Sequence, residues 1–472
     1  MTPPLSHRTK LGYGAADWGL AAVESMVQIY LFKFYNVVVG LPALYTGLAL
    51  ALAIVWDAIT DPLMGGISDR SRWSSGRRRP YLLPGAALLA VSFIWIFNPP
   101  PLDSNAARFA FLLISFILLN TAMTVVGVPH SALGSELSFD RDQRTQLFAY
   151  KRLFGTVGAL AGLWLPGLIL AQMDGHADPT GAQARGLASW WLAAPIVLCA
   201  WVTFQATRGL DRPSAELRSK PADHAQPHRP IHLWRLFADQ RSALSNPFFR
   251  ILLLAFLVAA VGRTLNASTA LYYYEYRLQL TEQETIGWIL LPFFISFLAS
   301  LPGWIWAARR WGKKAAGVIG VCGLGVSTAV AYPLFPIGEL AAPLVYALVG
   351  GGLAGAVVLL DALVADTIDY DKLKTGLDRE GLYFGVWRMG TKLARALGLG
   401  LNGVSLWLIG FSAATATQTP ETGWRLALLF GPMVGILFFG AGLILWRLPL
   451  TDERHQRIQR LLRRRRQRLH IS

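Results

Sequence analysis

The sequence predicts an all-α membrane protein of twelve helices, arranged as two halves of six with both termini in the cytoplasm. Three observations predict it. Of 472 residues, 53% are hydrophobic and only 15% charged, where a soluble domain carries about a quarter, and the mean hydropathy is +0.40. Twelve apolar segments can each cross a bilayer, which takes about 20 residues; they fall near 11–38, 41–63, 81–98, 108–131, 150–172, 188–207, 248–272, 283–306, 315–336, 340–364, 382–411 and 421–446. The 44 Lys and Arg residues are unevenly placed: with a cytoplasmic N-terminus, 35 fall in cytoplasmic stretches, four (Arg108, Arg185, Arg277, Arg425) fall opposite, and five lie within helices. That is the positive-inside pattern.

Taken in order, the first segment is apolar except for Lys33 and one face bearing Asp17, Glu24 and Gln28. The second, "ALYTGLALALAIVW", is uncharged until Asp57 and Asp61. The third, fourth and sixth are almost uncharged, and the fifth opens on Lys151 and Arg152. The seventh carries Arg263 and the run Tyr272–Tyr274, which suits an interfacial aromatic belt or a platform for a sugar ring. The eighth, ninth and tenth are mostly apolar, the eleventh bears Arg388, Lys392 and Arg395, and the twelfth is mostly apolar. The many glycines and prolines (45 and 26) are tolerated within membrane helices, where neighbours satisfy freed backbone groups.

The halves are joined by one long polar stretch, 208–247, with a possible amphipathic turn at "IHLWRLFADQ". The expected organisation is an N-terminal bundle (1–207), a cytoplasmic linker (208–247), a C-terminal bundle (248–446) and a basic cytoplasmic tail (447–472). "ALGSE" (132–136) and "ALVAD" (362–366) stand at matching places in the two halves, each before a charged loop, as a parallel repeat requires. Six plus six with a long central loop is the layout of major facilitator transporters, which bind substrate near the midplane between halves.

The net charge of +16 is mainly a topology signal. No soluble module is present to bind nucleic acid, so none is expected as a partner. The tail's "RRRRQR" suits either anionic lipid headgroups or plain solvation. The two cysteines, Cys199 and Cys322, imply neither a disulfide framework nor a metal site, and no nucleotide loop or catalytic triad marks an enzyme.

Ionisable residues inside a membrane are costly and usually functional. Asp17, Glu24 and Gln28, spaced seven and four apart, share one face at 100° per residue. Asp57 and Asp61, one turn apart with Thr60 between, make a hard-oxygen site suited to an alkali cation. Two close carboxylates cannot both stay ionised cheaply, so the pair should hold a cation or a proton. Pro62 suggests a kink or helix end there. Arg388, Lys392 and Arg395 share a face at i, i+4, i+7 and need anions, for which the acids of the first two helices are candidates. The loop "GGISDRSRWSSGRRRP", with Asp69 and Arg70, should lock the cytoplasmic gate.

The motifs "IVWDAITDPLMGGISDRSR", "VGVPHSALGSELSFDRDQRTQLFAYKRLF", "LVADTIDYDKLKTGLDREGLYFGVWRMGTKLARALG" and "YGAADWG" resemble, in order and over essentially the whole chain, the glycoside–pentoside–hexuronide:cation symporter family, to which the melibiose permeases belong. The resemblance implies a Na⁺- or H⁺-coupled symporter for a sugar- or glycoside-like solute, with no cofactor beyond the coupling ion. It implies a multi-pass cell-membrane protein (the inner membrane if bacterial), monomeric, with solute, cation and lipid bilayer as partners. An anionic sugar or an amphiphile such as a lysophospholipid is the alternative cargo. By position, Asp57 and Asp61 match the cation-site acids, Thr60 stands where melibiose permease has asparagine, and Thr124 matches a cation-site threonine. Lys392 matches a coupling lysine, Arg152 an arginine at the sugar pocket, and Arg144 a member of the cytoplasmic gate. Three galactoside contacts of melibiose permease are replaced, by Ala21, Gly127 and Ser131.

Overall fold

In a computed structural model of the chain, the described residues are 5–71, 73, 76–137, 141–173, 181–210, 242–377, 379–415, 417–450 and 452–469. Within them, the side chains of Arg70, Ser135, 141–142, 452 and 463–469 are not described. The expected turn at 231–240 lies outside the described residues. Helices occupy all twelve expected segments: α1 (His7–Met26), α2 (Ala43–Arg70), α3 (Leu82–Phe97), α4 (Asn105–Leu137), α5 (Arg141–Gln172), α6 (Ala182–Ala206), α7 (Pro247–Arg277), α8 (Glu282–Trp311), α9 (Lys313–Leu334), α10 (Ala341–Thr375), α11 (Glu380–Leu408) and α12 (Pro420–Trp446). A further helix, α13 (Asp452–Leu469), follows. No strand occurs among the described residues, only an isolated bridge between Trp73 and Gly76.

Ten of these helices are long and apolar enough to cross a membrane. The two that fall short are α1 and α11, the carriers of Asp17 and Glu24 and of Arg388, Lys392 and Arg395. Charged side chains lower the hydropathy by which a span is recognised. Several helices run past their apolar segments, α2 to Arg70 and α10 to Thr375, since a helix beyond the hydrocarbon no longer needs apolar side chains.

Local chemistry sets many helix starts. The Ser6 hydroxyl accepts from the Thr9 amide before α1, and Asn246 and Pro247 open α7. A reciprocal Thr281–Glu284 box opens α8, and Thr419 with Pro420 opens α12. Each satisfies N–H groups a helix start leaves unpaired.

The chain divides into two compact units, Met1–Ile231 and His232–Ser472. In the first, α1 packs against α5 and α6, α2 against α4, and α3 against α4 and α6. The α1–α5 approach needs glycine: a Cβ on Gly158 or Gly162 would sit 2.0 Å from the carbonyl oxygen of Trp18 or Ala22. Small residues let membrane helices come this close. In the second unit, α7 packs against α11 and α12, α9 against α12, and α8 against α10.

Two expectations are corrected here. Pro62 does not end α2, which continues to Arg70, so Asp57 and Asp61 lie inside the helix. Tyr272, Tyr273 and Tyr274 form neither a belt nor a platform; they are buried, Tyr273 stacked on Phe430 at 4.6 Å and bonded to the Tyr332 carbonyl at 2.6 Å. Their hydroxyls made the run look interfacial, but buried partners such as this carbonyl let tyrosine fill a core.

Candidate functional site

Helix α2 presents Asp57 and Asp61 one turn apart, and α4, packed on it, brings Thr124 between them. The Thr124 hydroxyl lies 2.9 Å from Asp57 Oδ1 and 2.8 Å from Asp61 Oδ1. A hydroxyl has one hydrogen to donate, so it is shared by two carboxylates. Thr124 is 5% exposed, and both acids are half-buried. The Thr60 hydroxyl instead donates to the Asp57 backbone carbonyl at 3.2 Å, leaving its lone pairs as its contribution. Pro62 has no N–H, so the Ala58 carbonyl has no helical donor one turn on. The donor set is wholly oxygen, two carboxyl groups among it.

On α1, Asp17 Oδ1 lies 3.5 Å from Lys151 Nζ on α5, and that ammonium donates to Ser131 Oγ on α4 at 2.8 Å. Asp17, an expected counter-charge for the α11 basic face, thus has a partner inside its own unit. A Cβ at Gly155 would stand 2.5 Å from Asp17 Oδ2, so that glycine makes room for the carboxylate. Beside this cluster, buried His130 lies 2.8 Å through Nε2 from the Tyr13 carbonyl oxygen, while the Tyr13 hydroxyl donates to the His130 carbonyl at 3.2 Å. Glu24 is exposed, and Gln28 lies in the π-helical turn Val27–Leu31. That wider winding departs from the uniform 100° step that placed Asp17, Glu24 and Gln28 on one face. Arg152, next to Lys151, is exposed.

In the second unit, α11 carries exposed Arg388 and half-buried Lys392 and Arg395 along one stripe. Next to them, the Trp387 indole donates to Asp361 of α10 at 3.0 Å and stacks on Phe256 at 3.9 Å.

Of the residues expected at the gate, Asp69 falls in a charge network around the loop after α2. Asp69 accepts from Arg78 at 2.8 Å, and Arg78 Nε reaches Glu136, at the end of α4, at 2.9 Å. Arg77 also pairs with Glu136. Arg79 is buried, its guanidinium 4.3 Å from the Phe204 ring and bonded to the Phe204 carbonyl at 2.6 Å, at the end of α6 where helix carbonyls favour a cation. Arg144 is exposed on α5; the Arg70 side chain lies outside the described residues. In the second unit Lys313 grips Asp366 at 2.8 and 2.9 Å, and Arg379 clamps Asp371 with three bonds of 2.6 to 3.0 Å. The hydrogen bond to Asp371 raises the Arg379 guanidinium above its ordinary value.

Sequence reasoning missed Lys151, Glu136, Asp361 and Asp366 as interacting residues. Asp361 carried a usable signal, an acid inside an apolar run. Glu136 and Asp366 stood at the ends of the two matched pentapeptides, and Lys151 was counted with the cytoplasmic loop.

Residues 12–452 match the MFS/sugar transport protein family. An uncharacterized symporter of Synechocystis is 26% identical, over 99% of this chain and 98% of that protein. A glucuronide carrier protein homolog of Escherichia coli is also 26% identical, over 97% and 96%. The human sodium-dependent lysophosphatidylcholine symporter 1 is 25% identical, over 86% and 76%. Among solved structures, the inward-open xylose transporter XylE of Escherichia coli superposes with a TM-score of 0.61 at 14% identity, covering 96% of this chain and 98% of that one. The fold is that of the major facilitators.

Proposed function

The chain belongs to the MFS/sugar transport protein family, a multi-pass membrane transporter by family and fold, and we propose that it is a cation-coupled symporter. Its cargo is a sugar- or glycoside-like solute, driven by Na⁺ or H⁺ through alternating access. The observation that carries this reading is the Thr124 hydroxyl shared between Asp57 and Asp61.

Carboxylate, hydroxyl and carbonyl oxygens suit a hard cation, and two acids held on one hydroxyl favour a bound cation or proton over two bare charges. Asp57, Asp61, Thr60 and Thr124 form the cation site. Cation binding neutralises the pair and lowers the cost of carrying it through a closed state in the membrane. Lys392 is the coupling residue, compensating the acids when the cation is absent. By linkage, whatever the cation adds to solute affinity the solute adds to cation affinity. Asp17, Glu24, Gln28, Arg152, Arg388 and Arg395 line the solute path. Asp69, Arg70 and Arg144 belong to the cytoplasmic gate. Twelve spans, cytoplasmic termini and the division at 208–247 complete the assignment, with the protein acting as a monomer.

A second reading, an anionic sugar or a lysophospholipid-like amphiphile as cargo, is favoured by Lys151 beside Arg152 and by the basic stripe of α11. The glucuronide carrier homolog and the lysophosphatidylcholine symporter among its relatives fit this reading.

The test is a thermal-shift screen of the purified protein against neutral sugars, uronic acids and lysophospholipids, with and without Na⁺ and across pH. A solute shift that grows with the cation is expected. Shifts indifferent to both Na⁺ and pH for every solute would defeat the symporter reading.

A further inference from the structure

We infer that α13 is a docked arm whose outward arginine stripe binds the anionic lipid headgroups of the bilayer beside it.

Only residues 447–451 separate α13 from the end of α12 at Trp446, a reach of at most about 20 Å. The connection is folded inward: Leu448 and Leu450 are buried, and Arg454 Nη1 bonds the Pro449 carbonyl at 3.0 Å. Helix α13 is therefore held near the level at which the chain leaves the membrane.

One face of α13 is occupied. His455 Nε2 lies 2.9 Å from Asp369 and 3.6 Å from Asp366 of α10, and Gln459 reaches Asp369 at 3.5 Å. Ile458 is buried, and the Arg454 guanidinium lies 4.9 Å from the Phe248 ring. At 100° per residue, Arg457 and Arg460 fall on the opposite side, and both are exposed. In the sequence, arginines recur at positions 464 and 468. Exposed Glu453, at the start of α13, is the acid on that side.

With Ile458 buried and His455 and Gln459 held by α10, α13 lacks the continuous free apolar face with which an amphipathic helix inserts into the bilayer, and Leu461 is the exposed large apolar side chain among its described residues. What remains are the exposed guanidinium groups of Arg457 and Arg460, each shaped to hold phosphate oxygens two at a time. Charge attraction of this kind acts only within about a Debye length of the surface, about 8 Å at physiological salt. A lipid surface is the polyanion this helix cannot leave, whereas a nucleic acid or an acidic protein would have to be recruited.

The test uses the full-length protein with Cys199→Ala, Cys322→Ala and a dye on Gln456→Cys, in nanodiscs whose lipid headgroups carry a quencher. Several-fold stronger quenching is expected in discs containing phosphatidylglycerol than in phosphatidylcholine alone, and high salt should reverse it. Arg457→Gln, Arg460→Gln, Arg464→Gln and Arg468→Gln together should abolish the difference, and the four lysine replacements should keep much of it. Equal quenching in both lipids would mean a merely solvated face. A difference surviving the four glutamines would place the contact elsewhere, and a dye response to soluble polyglutamate but not to phosphatidylglycerol would point to a protein partner. Each of these three results overturns the inference.

Discussion

Glu136 and Asp366 are counterparts: each ends one of the matched pentapeptides, ALGSE and ALVAD, and each holds a basic residue that precedes or opens the helix after an interhelical loop. Glu136 takes Arg77 and Arg78, between α2 and α3; Asp366 takes Lys313, the first residue of α9. The same device recurs in each unit, as an internal repeat requires.

The two pairs should differ in strength. The Asp366 side chain is 6% exposed and that of Glu136 30%. Water screens the second pair, while breaking the first leaves charge in a drier site. Asp366→Asn should cost about 3 kcal/mol and Glu136→Gln about 1 kcal/mol, read as Tm losses of the purified variants. Equal losses would contradict the burial argument.

Asp57→Asn and Asp61→Asn should each abolish the stabilisation by the coupling ion and cation-driven uptake. Thr124→Val keeps the shape but removes the shared hydroxyl, and should weaken cation affinity about tenfold, or about 1.4 kcal/mol. Cation titration followed by thermal shift reads both effects. Unchanged titrations in the two asparagine variants would put the ion elsewhere.

Neutralising either member of the Asp17–Lys151 pair strips a half-buried charge of a partner. Asp17→Asn and Lys151→Met should therefore each reduce Tm more than the double variant does. A double variant as unstable as the sum of the two would show that the groups act independently.

Lys392→Gln should leave solute binding measurable but remove most of its dependence on the cation, a loss of about 1–3 kcal/mol of coupling. Solute affinity with and without the ion is the measurement. A cation effect of wild-type size would refute a coupling role.

Cysteines at Ser6, Arg208 and Gln456, in a chain lacking Cys199 and Cys322, should react with a membrane-impermeant maleimide only after cells are permeabilised. Labelling of any one in intact cells would overturn the cytoplasmic placement of both ends and the linker.

The helices were legible because hydropathy acts locally, over one apolar segment at a time. Asp57 and Asp61 were legible because two acids one turn apart in an apolar run admit few explanations. The aromatic run at Tyr272–Tyr274 was misread because a tyrosine hydroxyl looks the same in sequence whether it meets water or a buried carbonyl. The π-helical turn at Val27–Leu31, which holds Gln28, leaves no periodic trace in sequence.

By itself, then, the sequence determined where helices form, which of them carry charge, and which acids stand one turn apart, since all of these follow from the 3.6-residue repeat and the apolarity of the bilayer. Only the tertiary structure decided partners: that Thr124 stands on both acids, that Asp17 meets Lys151, and that Glu136 and Asp366 grip corresponding loops. A charge's partner depends on which helices lie side by side and how closely. On α1 and α5 that closeness is set by Gly158 and Gly162, whose lack of a side chain reads in sequence as mere permissiveness and in space as a contact between two backbones.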